Sequence, residues 1–392
     1  MNNIETIICL MLLLMAVPDV CRKLGQPALA NVLFVLFGLA LGPALQPDVI
    51  TMVAQAGEVG FLLVLFEVGL DIDLPPFREF LRPLRFALAW SLVQYPLVLG
   101  LGYLAGLTLP QGLLAAAALT SCSMSMAHLA WKQYPGLPGE ARTFMLRIMI
   151  ALEVLAILVL SIGTITVADG FCWAILFKLA GMAVTVFLIS QFAGHFVKLC
   201  QTIIAKTTHW RVHFLVLMVL IVCAVGERLG LAAAKTAFFL GLFMSKTEFD
   251  GMSVEEAIAP ISRRFLIPVF FVSLGLVVDA RQLFSLTALE ALGGAVLLLG
   301  VREVMHRRWL KTGGNQRAFL LLCPNLTMAA LGAKALLADH GRDAATWVIF
   351  GGLFLSVISL FLLPRIGGTR ATGPSAATGA GAENGDMGPV EI

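Results

Sequence analysis

Glu153 stands near the middle of an apolar run, Phe144 to Ile165, in which the one other charge is Arg147. A carboxylate at that depth in hydrocarbon is costly, and an ionisable group inside a membrane span marks an ion path, a proton relay or a buried pair. Desolvation favours the neutral acid, so a carboxyl there is suited to load and release one proton per cycle. Two polar interruptions accompany it. Thr120, Ser121, Cys122, Ser123, Met124 and Ser125 lie inside a stretch otherwise rich in Leu and Ala. Small hydroxyl residues can satisfy unwound backbone at membrane depth, and they also mediate close helix packing. Farther on, Pro324, Asn325 and Thr327 interrupt a second apolar stretch. Proline removes a backbone donor and clashes with the preceding turn, so a break is expected near 323 to 326. Asn325 there is either a neutral oxygen ligand or a bystander at a proline kink.

A chain with these residues needs a membrane around it. With 59% hydrophobic residues, 13% charged residues and a mean hydropathy of +0.92, its polar surface is too small to cover the apolar interior of a soluble protein. The pattern is that of an all-α polytopic membrane protein in the lipid bilayer. Helical spans of about 17–25 residues are placed at 5–21, 28–43, 52–70, 85–107, 110–131, 142–165, 171–196, 211–229, 231–246, 264–280, 285–306, 317–338 and 343–364, thirteen in all. The first is read as a true span, because it lacks a basic leader and a small-residue cleavage site. The seven cysteines show neither CxxC nor paired spacing, so neither zinc nor a disulfide framework is expected. No cofactor is expected, and no basic stripe interleaved with aromatics suggests nucleic acid.

Lys and Arg distribution orients the chain. Connections after odd-numbered spans hold, among others, Arg22, Lys23, Arg78, Arg82, Lys198, Arg263, Arg264, Arg307 and Arg308, whereas the alternate ones hold Arg228, Arg281 and Arg342. The N-terminus is therefore expected outside and the C-terminus in the cytoplasm. Residues 1–365 form one transmembrane domain, and the Gly-, Ala- and Thr-rich stretch 366–392 is expected to be a disordered cytoplasmic tail.

Three stretches, in order, carry a resemblance. Lys23 to Pro43 (KLGQPALANVLFVLFGLALGP), Gly60 to Leu74 (GFLLVLFEVGLDIDL) and Ile267 to Asp279 (IPVFFVSLGLVVD) resemble the monovalent cation:proton antiporters, in the branch that includes glutathione-gated potassium efflux systems. The resemblance runs to about residue 365. It implies two inverted six-helix repeats with broken crossing helices, joined by a middle helix, in a homodimer with a mobile transport core. It also places Glu153 on the sixth-span acid that alternately binds a proton and a cation, with Leu152 where a polar neighbour is usual. Thr120 and Ser121 fall on the first broken helix, with Ser123 beside them, and Asn325 and Thr327 on the second, where the usual acidic element is missing. Some members pair the sixth-span acid with a base from the eleventh span. Arg302 lies in that span, near the end where snorkelling is expected, and Lys235 and Lys334 are intramembrane alternatives among which the sequence does not choose.

These readings favour electroneutral exchange of Na⁺ or K⁺ for H⁺ in the plasma membrane, a bacterial inner membrane by preference. Glu153, Thr120, Ser121, Ser123, Asn325 and Thr327 are the ion and proton site. Transport of another, anionic solute on the same scaffold, and a non-transporting sensor or assembly subunit, remain open. Covalent catalysis is not expected, since no HExxH, P-loop or Ser-His-Asp arrangement stands out. Acidic residues Glu58 and Glu67 share the third span, and histidines such as His128 and His213 have an interfacial reading beside a pH-sensing one.

Overall fold

A computed structural model describes residues 3–26, 29–71, 77–132, 134, 137–169, 211–228, 233–245, 248–249, 252–310, 317–338 and 341–364. Helices account for nearly all of them: α1 Asn3–Lys23, α2 Leu29–Leu41, α3 Pro47–Asp71, α4 Phe77–Leu104, α5 Leu109–Thr120, α6 Met124–Lys132, α7 Gly139–Asp169, α8 Arg211–Arg228, α9 Ala233–Met244, α10 Val254–Ile261, α11 Ile267–Val277, α12 Leu286–Met305, α13 Leu326–Ala338 and α14 Arg342–Leu362. A two-residue antiparallel ladder, Glu248–Phe249 with Met252–Ser253, precedes α10. A π-helical turn, Ser262–Leu266, fuses α10 to α11, and a 3₁₀ turn, Ala318–Leu322, leads towards α13. Among the described residues, seven spans are long and apolar enough to cross a membrane, and shorter apolar helices stand among them. Twelve of the thirteen expected spans coincide with these elements, while the seventh, 171–196, lies outside the described residues. The tail at 366–392 lies outside them too.

Local sequence fixes the helix starts. Thr108 and Gln111 form a reciprocal capping box at α5, with Gln111 Oε1 accepting from the Thr108 N–H at 3.1 Å. Ser253 and Glu256 repeat that device at α10, and Ser285 caps α12. The capped starts satisfy N–H groups that the hydrocarbon layer could not.

The helices sort into two groups. α2 packs on α11, α3 on α9 and α11, and α8 on α9, whereas α4, α5 and α7 pack together and continue into α12, α13 and α14. The first group contains a repeated contact. A Cβ added to Gly38 would stand 2.1 Å from the Val272 carbonyl oxygen and one on Gly275 2.1 Å from that of Val35. One on Gly69 would stand 2.2 Å from the Phe238 oxygen and one on Gly241 2.1 Å from that of Phe66. In every case the oxygen belongs to the third residue before the partner glycine. Spans two and ten thus cross as spans nine and three do, through glycine pairs that let backbones approach where lipid leaves packing as the driving force. This is the exchange of partners that two inverted six-helix repeats require.

Candidate functional site

Spans five and twelve are each broken, and the breaks meet. α5 ends at Thr120, Ser121 turns extended (φ −73°, ψ 173°), and α6 restarts at Met124. On the other side the 3₁₀ turn ends at Leu322 and α13 begins at Leu326, so Cys323, Pro324 and Asn325 form the second break. Non-helical backbone at this depth must be satisfied by protein, and each break supplies the other. The Ser123 N–H donates to the Pro324 carbonyl at 2.7 Å. Cys122 Sγ donates to the Leu321 carbonyl at 3.3 Å, and Ser123 Oγ to Thr327 Oγ1 at 3.1 Å. Asn325 Nδ2 donates to the Leu119 carbonyl at 2.7 Å and to that of Ala118 at 3.3 Å, closing over the C-terminal end of α5. Thr120, Ser121, Ser123, Asn325 and Thr327 are all buried at this crossing. Ser121 and Thr120 are already engaged: Ser121 Oγ donates to the Ala118 carbonyl at 2.6 Å, and Thr120 meets the Tyr95 hydroxyl. Asn325 Oδ1 is buried and has no hydrogen-bond partner among the described residues.

Two half-helices begin at the crossing, and each start is capped from the following span. The Met124 N–H, opening α6, faces both carboxylate oxygens of Glu153 on α7, at 3.4 and 3.3 Å. The Asn325 N–H, opening α13, donates to Ser356 Oγ on α14 at 3.2 Å. Each half-helix start is thus met by a side chain of the span that follows, one from a group that titrates and the other from one that cannot. A half-helix start carries about half a positive charge, which favours an anion there, and Glu153 is fully buried. Leu152 beside it is buried and apolar.

The positive charge comes from an expected residue in an unexpected position. Arg302 does not snorkel from the end of its span. α12 continues beyond it into a π-helical turn, His306–Leu310, so Arg302 stays a turn inside and is fully buried. Its Nε donates to Gln94 Oε1 at 2.8 Å and its Nη2 to the Leu119 carbonyl at 2.7 Å, and its guanidinium lies 5.9 Å from the Trp90 ring centre. The C-terminal end of α5 carries the negative pole of a half-helix, so a permanent cation is placed where the breaks expose carbonyls. Glu153 meets the start of α6 and Arg302 the end of α5, so acid and base stand on either side of the break. Lys334, the other expected base, is turned elsewhere: its Nζ pairs with Glu58 Oε1 at 3.3 Å and sits 4.6 Å from the Phe61 ring centre. Lys235 is on α9, and its side chain lies outside the described residues.

A buried acid on a half-helix start can bind a proton or a cation, and comparison with known proteins gives the family. Residues 9–363 match the model of the sodium/hydrogen exchanger transmembrane family. The chain belongs to that family. It is 24% identical over 370 residues to a probable Na⁺/H⁺ antiporter of Methanocaldococcus jannaschii, covering 88% of this chain and 90% of the relative. It is 26% identical over 299 residues to the Na⁺/H⁺-K⁺ antiporter GerN of Bacillus cereus, covering 72% of this chain and 74% of that one. The fold is that of the sodium proton antiporter MjNhaP1 of Methanocaldococcus jannaschii, with a TM-score of 0.66 at 16% identity over 92% of this chain and 95% of that one.

In this exchanger a cavity of about 540 Å³ separates the two helix groups. Glu58 and Phe61 of α3 and Glu227 of α8 line one wall, and Ile157 and Ser161 of α7 with Lys334 of α13 line the other. Ile157 follows Glu153 by one helical turn, so the cavity reaches within a turn of the buried acid and stops there. The Lys334–Glu58 pair bridges the two groups across it. Two residues that meet the helix crossing were not among the candidates read from the sequence, Gln94 and Ser356. Each is a fully buried polar side chain with other polar residues on the same helix, Ser91 and Tyr95 near Gln94 and Ser359 near Ser356, so only its hydrogen-bond partners single it out.

Proposed function

We propose that the chain exchanges Na⁺ or K⁺ for H⁺ at Glu153, one for one, with Ser123, Thr327 and Asn325 Oδ1 as the neutral oxygens from which a cation's shell is completed. The observation that carries this reading is the carboxylate of Glu153 at the start of α6, beside two mutually satisfied helix breaks. A proton and an alkali cation are alternative neutralising partners for that anion, and the half-helix start keeps the empty carboxylate tolerable between them. Thr120 and Ser121 serve the same site by holding the end of α5. In alternating access one helix bundle rocks against the other about a fixed site. Here the group containing α7 and α13 would carry Glu153 past the group containing α3 and α9, closing the cavity on one face and opening a counterpart on the other.

With the N-terminus outside, as basic-residue distribution orients the chain, the cavity faces the exterior, because α3 starts on that side and α7 ends on it. We place the protein in the plasma membrane as a homodimer with a cytoplasmic C-terminus, following the family resemblance. An anionic solute is less well supported, since Lys334 is committed to Glu58 and Arg302 to Gln94 and the Leu119 carbonyl. The test is purified protein in liposomes carrying an imposed pH gradient. Added Na⁺ or K⁺ should collapse the gradient with wild-type protein and leave it standing with Glu153→Gln. A gradient indifferent to both cations in the wild type would remove the proposal.

A further inference from the structure

On the face of the molecule formed by α4 and α12, away from the cavity between the groups, runs an apolar groove of about 630 Å³. Val93 of α4 lines it on one side, and Val296, Gly300, Val301 and Val304 of α12 on the other. The volume falls in the range of ligand pockets, about 300–1,000 Å³. From Val296 to Val304 the wall is about 12 Å long at the helical rise of 1.5 Å per residue. At its far end the π-helical turn presents Arg308 and Trp309, which also line the groove and are both exposed. The neighbouring Arg307 is committed to Glu303 at 2.5 Å, whereas Arg308 has no ion pair with another described residue. A tryptophan and an arginine at the end of a membrane helix mark headgroup depth.

We propose that this groove binds an anionic phospholipid of the surrounding bilayer, with an acyl chain along the valines and the phosphate at Arg308. Charge chooses the occupant. A second copy packed across a two-fold axis through the groove would set Arg308 against its own equivalent, while an anionic lipid neutralises it. The groove also touches the exchange machinery. Met305 lines it and accepts from Gln94 Nε2 at 4.0 Å, and the same Gln94 holds Arg302. A lipid against Met305 is therefore two contacts from the buried cation at the helix crossing.

Gly300 allows a test that leaves the core alone, because a Cβ there would meet nothing within 4 Å. Gly293, two turns back on the same helix and outside the groove, has the same freedom and serves as control. Full-length protein in detergent is titrated with phosphatidylglycerol or phosphatidylcholine, and bound lipid is counted by native mass spectrometry. Wild type and Gly293→Phe should retain phosphatidylglycerol in preference to phosphatidylcholine. Arg308→Gln should lose that preference by about fivefold, the attraction of one basic side chain for an anionic headgroup. Gly300→Phe should lose the bound lipid of either kind. Equal retention of the two lipids by wild type, or wild-type retention by Arg308→Gln, overturns the assignment. A fall in the dimer fraction of Gly300→Phe with lipid binding intact would give the groove to a second copy instead.

Discussion

Shortening Glu153 by one methylene tests the site more sharply than deleting its charge. In Glu153→Asp the carboxylate draws back from the crossing by about 1.5 Å, the length of one C–C bond. Its oxygens stand 3.3 and 3.4 Å from the Met124 nitrogen, already at the long end of hydrogen-bond range, so the shorter acid cannot reach. A hydrogen bond to a charged group contributes about 1.5–3 kcal/mol. The retracted anion also leaves the cation's place beside Ser123 and Thr327 without its charge. The second effect sets the sign: half-saturation for the transported cation should rise, by about tenfold for each 1.4 kcal/mol of cation–carboxylate attraction lost, while maximal flux persists because the side chain still titrates. The assay is cation-dependent dequenching of a pH dye in proteoliposomes across a cation titration, with insertion and melting temperature measured alongside. Glu153→Gln keeps the size and loses the titration, so flux should vanish at every concentration. Wild-type half-saturation in Glu153→Asp, or any cation-coupled proton flux in Glu153→Gln, would refute the placement of the exchange site on the α6 start.

The remaining expectations follow from the same contacts. Ser356→Ala removes the neutral cap of α13 and should cost about 0.5–2 kcal/mol of stability, seen as a lower melting temperature, with the ion selectivity of flux unchanged. Arg302→Met leaves Gln94 Oε1 without its donor and the α5 end with Asn325 alone; flux should fall steeply, and Arg302→Lys, which cannot bridge both acceptors as a planar fork does, should recover only part of it. Lys334→Met breaks the bridge to Glu58 across the cavity, with both side chains largely exposed, so thermal stability should hardly move while the rate of exchange changes. One-for-one exchange predicts that flux ignores an imposed membrane potential, since each uncompensated charge would gain about 2.3 kcal/mol per 100 mV; a sodium flux that scales with a valinomycin-clamped potential would contradict it.

Much of this was legible from residue types. Glu153 announced itself by its cost in an apolar run, and both breaks by local chemistry: proline at 324, and a cluster of small hydroxyl residues at 120 to 125. Span positions came out well because membrane thickness sets helix length, whichever neighbours a helix has. What the sequence hid was direction. Arg302 looked terminal because the span limit was drawn at His306, and the continuation into a π-helical turn, which buries it, has no compositional signature. Lys334 looked intramembrane, and so it is in register, yet it points to the cavity of about 540 Å³ between the helix groups and finds Glu58 from a helix 276 residues away in sequence. Gln94 and Ser356 were passed over because neither stands out from the other polar residues of its helix, and only their partners distinguish them.

In the proposed exchange the two repeats divide the chemistry between them. Both build the same backbone object: a broken span crossing its counterpart, with a half-helix start capped from the span that follows. A fixed, neutral cap at Asn325 stabilises that object and does nothing else, and Ser356 is sufficient for it. A cap that titrates makes the same backbone N–H a device, because its occupancy by charge then depends on whether a proton or a cation neutralises it. Only one of the two caps can titrate if one proton is to exchange for one cation. The second break instead receives an amide, whose two donor bonds to the α5 carbonyls hold the crossing rigid while its oxygen stays unspent. Arg302 completes the division: a permanent charge belongs on the helix end whose polarity never changes, and an acid belongs on the start whose ligand must be exchanged.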